Sequence, residues 1–236
     1  RGLGDVYKRQ RNIALNVLLK IENEGAYSNI ALNNAIKENR LSGVDSSFVS
    51  ALVYGVLERR ITLDYIIRSY SKIPLRKIET KTKNILRLGI LQLLFMDKVP
   101  DSAAVNESVN LAKKHRLQKS SGFINGILRN ITRAEVKYTL PDEKDRARYL
   151  SVKYSVPENI VKLWINSYGE NNAEQFLASL NGRAKICCRV NTLRTDADTL
   201  IKKLSDEGVV AEKIPFIDNA LYLKNTGSVE RLRAYK

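Results

Sequence analysis

One histidine, one methionine, one tryptophan and two cysteines occur in 236 residues, and each scarcity removes a class of function. A zinc site draws on four Cys or His ligands, and His115 with Cys187 and Cys188 falls short of that set. The two cysteines are adjacent. Neighbours in an extended segment point to opposite faces, so these two neither bridge each other nor share a metal. The absence of paired cysteines and of a secretory leader predicts a reducing, cytoplasmic location. No glycine-rich phosphate loop is present, and the histidine and carboxylate content does not compose a protease-like or glycosidase-like constellation. As nucleophiles, Cys187 and Cys188 have only Arg189 beside them as an activating group.

Long apolar runs are also missing. The longest, Ile85 to Met96, has twelve residues, well below the roughly 20 that span a bilayer. The chain shows neither a basic amphipathic terminal helix nor a lipidation signal, so the sequence predicts no membrane partner. The single methionine, Met96, lies inside that run. The expectation is therefore a fragment that does not begin at its own start codon. Residues 1–10, RGLGDVYKRQ, break the pattern that follows and read as a non-native tail of translated adaptor sequence. The other end, RLRAYK, carries no terminating signal.

What the chain has in excess is positive charge, +15 in all. Residues 11–133 hold 20 Lys and Arg against 10 Asp and Glu, whereas residues 134–236 hold 17 against 14. A basic bias concentrated on one domain points to a polyanionic partner; a generally solvated basic surface is the plainer alternative.

Apolar spacing predicts helices over about Arg11–Glu24, from Ser28, from Asp45, and around Leu63–Tyr70. The run Ile85–Met96, apolar almost all round, predicts a helix at the centre of a bundle. Pro100 breaks the chain, Ser102 can cap the next helix, and a further amphipathic helix ends at Arg129. The first region, 11–133, is thus an all-α bundle, and 134–142 reads as a linker. Residues 143–236 predict helices near 143–154 and 172–180, with a capping box of Ser155 and Glu158 around Pro157 between them. A strand at 186–190, a helix capped by Thr195 and stopped by Gly208, and two short strands follow. That tail is a small α+β unit.

The candidate anion-binding residues form two groups. Arg68, Lys72, Arg76, Lys77, Lys81, Lys83 and Arg87 surround the start of the central helix, where free backbone amides favour phosphate. Lys113, Lys114, Arg116 and Lys119 sit at a helix end, where cations also complement the helix dipole. Tyr27, Tyr65 and Tyr70 are of a type that stacks on unpaired bases, although their spacing equally suits packing. His115 reads as an exposed helix-end residue. Asn106 and Glu107, on an otherwise apolar helix, read as satisfying donors inside the bundle.

Four stretches carry a resemblance: RNIALNVLLKIENEGAYSNIAL, DSSFVSALVYGVLERRITLDYII, NILRLGILQLLFMDKVPDSAAVNESVNLAKK and GFINGILRNITR. Together they resemble the NusB-type RNA-binding domain, an all-helical bundle. LVYGVLERRITLDY and VPDSAAVNE are closer to the version fused to rRNA methyltransferases than to the free-standing antitermination factor. Downstream, VPENIVKLWINSYGENNAEQFLASLN and RVNTLRTDADTLIKKL resemble the region that joins this domain to a methyltransferase core. The family implied is the Sun/Fmu (RsmB) type of small-subunit rRNA cytosine-5 methyltransferase. The resemblance implies S-adenosylmethionine as cofactor of the parent enzyme and a cysteine that adds covalently to the cytosine ring. The family's glycine-rich cofactor loop and its Pro-Cys-Ser-Gly type motif do not occur here. The expectations are therefore a Rossmann-like catalytic domain absent from this chain, no cofactor bound by the fragment and no catalytic residue in it. Small-subunit ribosomal RNA is the expected partner, the missing methyltransferase domain an intramolecular one, and the fragment a monomer. Two alternatives are a non-enzymatic antitermination factor and a protein-interaction bundle whose charge is incidental.

Overall fold

The computed structural model describes residues 3–180, 185–227 and 229–235, with side chains from Arg9 onward except that of Glu230. Two compact units divide the chain, Arg1–Leu180 and Asn181–Lys236. The first holds α1 (Leu3–Glu24), α2 (Ser28–Glu38), α3 (Gly43–Glu58), α4 (Arg60–Tyr70), a 3-10 turn (Leu75–Lys77), α5 (Thr80–Phe95), α6 (Asp101–Lys114) and α7 (Gln118–Arg133). It continues through α8 (Arg146–Tyr154), α9 (Glu158–Tyr168) and α10 (Glu170–Leu180).

Helix α5 is the axis of the bundle. Every residue from Asn84 to Gln92 is buried, because α1, α3, α4, α6 and α7 all pack on it. A helix enclosed on all sides needs apolar residues on all sides, and Ile85, Leu86, Leu88, Ile90 and Leu91 supply them. Burying each such side chain contributes about 1.5–3 kcal/mol. Gly89 sets the closest approach: a Cβ there would lie 2.8 Å from Leu128 Cδ1 and 2.9 Å from Ser108 Oγ. Any side chain there would force the Leu128 and Ser108 side chains to move aside.

Several local expectations are corrected. The first helix continues back to Leu3, so residue 10 marks no structural break. Gln10 is only 2% exposed and its amide bonds to Asp45, while Arg9 Nη2 donates to the Asn39 carbonyl at 2.8 Å. Ser28, Asp45 and Ser102 are not caps. The cap positions are Tyr27, Ser42 and Pro100, none capping with its side chain. Ser155 and Glu158 form no capping box either. Ser155, at φ +58°, closes α8, and its Oγ accepts the Ile61 amide at 3.0 Å. Pro157 takes the cap position of α9, and Glu158 pairs with Lys162 at 2.6 Å.

The stretch 134–142 forms no helix, yet it is fastened down. Tyr70 Oη donates to the Lys137 carbonyl at 2.6 Å, and Tyr138 packs on the bundle core. Beyond it, α8 docks on α4 through Thr62 Oγ1, which donates to the Val152 carbonyl at 2.6 Å. The division between compact units accordingly falls after residue 180, and α8–α10 share a unit with the bundle.

The second unit contains β1 (Ile186–Arg189), α11 (Ala197–Asp206), β2 (Val210–Ile214) and β3 (Ile217–Lys224), the strand–helix–strand–strand order that the sequence predicts. The sheet is antiparallel in the order β1–β3–β2, with Cys187 opposite Tyr222 and Tyr222 opposite Glu212. Leu204 of α11 packs with Val190, Val209, Leu221 and Leu223 on one face of the sheet. Asp196, not Thr195, caps α11, accepting the Thr199 amide at 2.9 Å. Gly208, at φ +79°, ends the turn after it.

Candidate nucleic-acid interface

The basic residues around the start of α5 separate into two populations. Arg68 at the end of α4, Lys72 in the loop, and Arg76 and Lys77 on the 3-10 turn are exposed, and Lys81 is half-buried. Among the described residues none of these five has an acidic partner. The N-cap of α5 is the acidic Glu79, whose side chain makes no cap hydrogen bond, and the first turn holds no further acidic residue, so Glu79 shares the positive helix end with any anion that approaches.

Lys83 and Arg87 face the other way. Arg87 is 4% exposed. Its Nε and Nη2 meet Asp64 Oδ1 and Oδ2 at 2.7 and 2.8 Å, and its Nη1 meets Glu22 Oε2 at 2.8 Å. Asn84 Nδ2 donates to the same Glu22 oxygen at 2.8 Å, and Lys83 Nζ lies 3.2 Å from Glu22 Oε1. Burial alone would raise the Glu22 pKa, but the Asn84 hydrogen bond and the charges of Arg87 and Lys83 outweigh it and hold the carboxyl low. Burial likewise works to neutralise Arg87, and the Asp64 and Glu22 carboxylates reverse that and raise its pKa. Lys83 and Arg87 therefore leave the expected interface. A buried guanidinium with four of its five N–H donors bonded to Asp64, Glu22 and Asn84 is not presented to a phosphate, and breaking such a pair is costly.

The second group stays outside. Lys113, Lys114, Arg116 and Lys119 are all exposed and without an acidic partner among the described residues. Helix α6 ends on the first two, and Arg116 takes φ +60° in the turn into α7. His115, between them, is not the exposed residue expected. It is half-buried, and its Nε2–H donates to Asn12 Oδ1 at 2.7 Å. Burial lowers its pKa first, and the charges of Lys81 and Lys114 lower it further. Lys81 and Lys114 thus act on one imidazole from two groups that the sequence keeps 33 positions apart. Sequence reasoning missed His115 as a member of this rim, although its flanks, Lys114 and Arg116, were signal enough.

Of the three tyrosines, Tyr27 is 77% exposed, whereas Tyr65 and Tyr70 are half-buried and the Tyr70 hydroxyl is bound to backbone. Asn106 is exposed, and Glu107 accepts Asn110 Nδ2 at 3.3 Å on the surface rather than inside the bundle. Burial and the neighbouring Cys187 push the Cys188 thiol up, away from the reactive thiolate.

A helical bundle around a buried axis, followed by a three-stranded α+β module, defines a two-part class of protein, and comparison with known proteins identifies both parts. Residues 8–133 match the model of the NusB family, and residues 156–230 match the ferredoxin-like domain of RsmF/B-like methyltransferases. The chain belongs to the NusB family. It is 35% identical over 213 residues to the probable ribosomal RNA small subunit methyltransferase B of Bacillus subtilis (strain 168), covering 90% of this chain and 47% of that protein. It is 32% identical over 228 residues to the protein of the same name from Synechocystis sp. (strain ATCC 27184 / PCC 6803 / Kazusa), covering 95% and 50%. The chain spans about half the length of these curated relatives. Among solved structures, the crystal structure of PH0851 superposes with a TM-score of 0.66 at 17% identity, over 96% of this chain and 51% of that one. At that identity the likeness is one of fold.

Proposed function

We propose that this chain is the RNA-binding portion of an S-adenosylmethionine-dependent 16S rRNA (cytosine-5) methyltransferase, and that it positions rRNA for a catalytic domain outside the matched half. The observation that carries this reading is the succession, in one chain, of the NusB family and the RsmF/B ferredoxin-like domain. The rim of cations without an acidic partner among the described residues supplies the physical means. Arg68, Lys72, Arg76, Lys77 and Lys81 with Lys113, Lys114, Arg116 and Lys119 make the contact surface, while Lys83 and Arg87 hold the bundle together beneath it. An antitermination role accounts for residues 8–133 and leaves the second domain without a use.

The turn after β1, where the second unit passes from strand to helix, lacks the glycine-rich form that suits the cofactor. Strand β1 runs into the turn Asn191–Thr195, where Asn191 Oδ1 accepts the Leu193 amide at 3.2 Å, with no glycine to admit a ligand against the backbone. No step through S-adenosylmethionine is therefore derived from this chain, and its share of the reaction is to bind and orient RNA.

Titrating small-subunit rRNA fragments at rising salt tests the reading. Phosphate contacts make log K fall with log salt by roughly 0.7–0.9 per contact. No binding at low salt leaves only an interaction bundle with incidental charge. Binding to a leader RNA hairpin and a ribosomal protein, without affinity for small-subunit rRNA, favours the antitermination role. Methyl transfer by the purified chain alone would overturn the division of labour.

A further inference from the structure

The second unit has a sheet face that none of its described elements covers. One side of the sheet meets α11 through Leu221, Leu223 and Cys188. The strand alternation sends Cys187 and Arg189 of β1, Tyr222 and Lys224 of β3, and Glu212 of β2 to the other side. Tyr222 lies at the middle of that side, on the central strand, with its ring half-buried between two strands. The polar neighbours are exposed. Lys185 Nζ sits 4.5 Å from the centre of the Tyr222 ring, Lys224 Nζ lies 2.7 Å from Glu212 Oε1, and Arg189 extends one register step along β1. Lys185, Lys224 and Arg189 lie on this side with Glu212, and strand alternation sends Asp218 there too.

We infer that this face is a second RNA contact, in which an unpaired base stacks on Tyr222 while Lys185 and Arg189 hold the adjoining phosphates. The inference rests on the RNA-binding reading of the chain and extends it to the second unit, which holds 11 Lys and Arg against 7 Asp and Glu. Charge complementarity and ring chemistry select the occupant. A peptide laid on this face would meet charged heads where it needs apolar pockets. Duplex RNA keeps its bases stacked and offers the ring nothing to receive. An unpaired nucleotide presents both a flat π-face and a phosphate, the combination single-strand binding surfaces use. Lys185 now lies over the ring by a cation–π contact. It is exposed, on a flexible stem, and free to give up that contact for a phosphate oxygen. Cys187, beside Tyr222 across the strand pair, has a side chain too small to shade the ring.

The test uses the whole chain and a short single-stranded RNA without secondary structure, followed by anisotropy and by ultraviolet crosslinking with peptide mapping. The expected result is a crosslink on the peptide containing Tyr222. Tyr222→Leu then weakens binding by about tenfold, the scale of one lost stack, and Tyr222→Phe stays within about twofold of the parent. Lys185→Ala with Arg189→Ala makes the salt dependence shallower by roughly 1.4, two contacts at 0.7 each. Parent-like binding by Tyr222→Leu, or crosslinks confined to residues 1–180, would overturn the inference while leaving the bundle's role intact. If Tyr222→Leu unfolds the sheet, the exposed Lys185 and Arg189 pair decides: an unchanged salt slope then overturns it. Absence of RNA binding by the parent chain itself would sink the broader reading instead.

Discussion

Two ends of one basic run do opposite work. From Arg68 to Lys81 the cations point outward, unpaired among the described residues. Two residues later Lys83 meets Glu22, and at Arg87 the guanidinium is inside, gripped by Asp64 and Glu22. Composition is the same at both ends; what differs is that Arg68, Lys72, Arg76 and Lys77 precede α5, whereas Lys83 and Arg87 lie on its inward face. Once α5 becomes the bundle axis, each of its polar residues must find a partner or leave a buried group unsatisfied. Gln92 shows the same rule further along α5, accepting Arg11 Nε at 2.7 Å and donating to the Leu88 carbonyl at 2.7 Å. Basic residues near a helix start therefore cannot be pooled into one surface without knowing which way each faces.

Breaking the inner end has the largest expected effect. Arg87→Ala strands Asp64 and part of Glu22 in a buried site and should cost about 3–5 kcal/mol, read as a lower urea midpoint at unchanged slope. A loss below about 1 kcal/mol would place Arg87 with the surface ion pairs. Breaking the outer end should leave the fold alone. Replacing Arg76, Lys77, Lys81 and Lys114 together by Ala should change stability by less than about 0.5 kcal/mol per site. The same variant should lower the salt slope of RNA binding by roughly 2.8, four contacts at 0.7 each. An unchanged slope would remove these four from the interface.

The smallest effect lies where the two basic groups meet. His115 has a folded pKa below its ordinary 6.5, so the unfolded chain takes up its proton first as pH falls. Its contribution to stability is then complete above about pH 6.5 and is lost as the pH drops through the folded value. RNA phosphates beside Lys81 and Lys114 would act in the other direction, raising the His115 pKa and making binding tighter in mild acid. Binding measured at pH 7.5 and pH 5.5 should differ by less than about tenfold, and His115→Gln should abolish the difference. A pH dependence that survives in the variant would assign it elsewhere.

Much of the architecture was legible because its signals are local. The run Ile85–Met96 has too few polar residues for any surface helix, and Gly25 and Gly208 stop helices as the sequence says, both at positive φ. Helix starts were less legible. Ser28, Ser102 and Thr195 each lie within a residue or two of the true cap, the usual uncertainty of helix ends, because packing on neighbouring helices decides where the chain turns in. Asp45 was assigned a cap and instead holds the buried Gln10. For the site, residue type was readable and facing was not. Lys83 and Arg87 share a face as their four-residue spacing requires, but only Glu22 and Asp64, far away in sequence, show that this face is the inner one. The conjunction of Lys81 with Lys114 at His115 has no trace in the spacing at all.

Ser155 carries one more consequence. Its hydroxyl, with that of Thr62, ties α8 to the start of α4, so α8 is held by contacts that bypass the stretch 134–142. The covalent path and the load path through the molecule are therefore different. A protease that cut between α7 and α8 would sever the first and leave the second, and the nicked halves would travel together until a denaturant parted them.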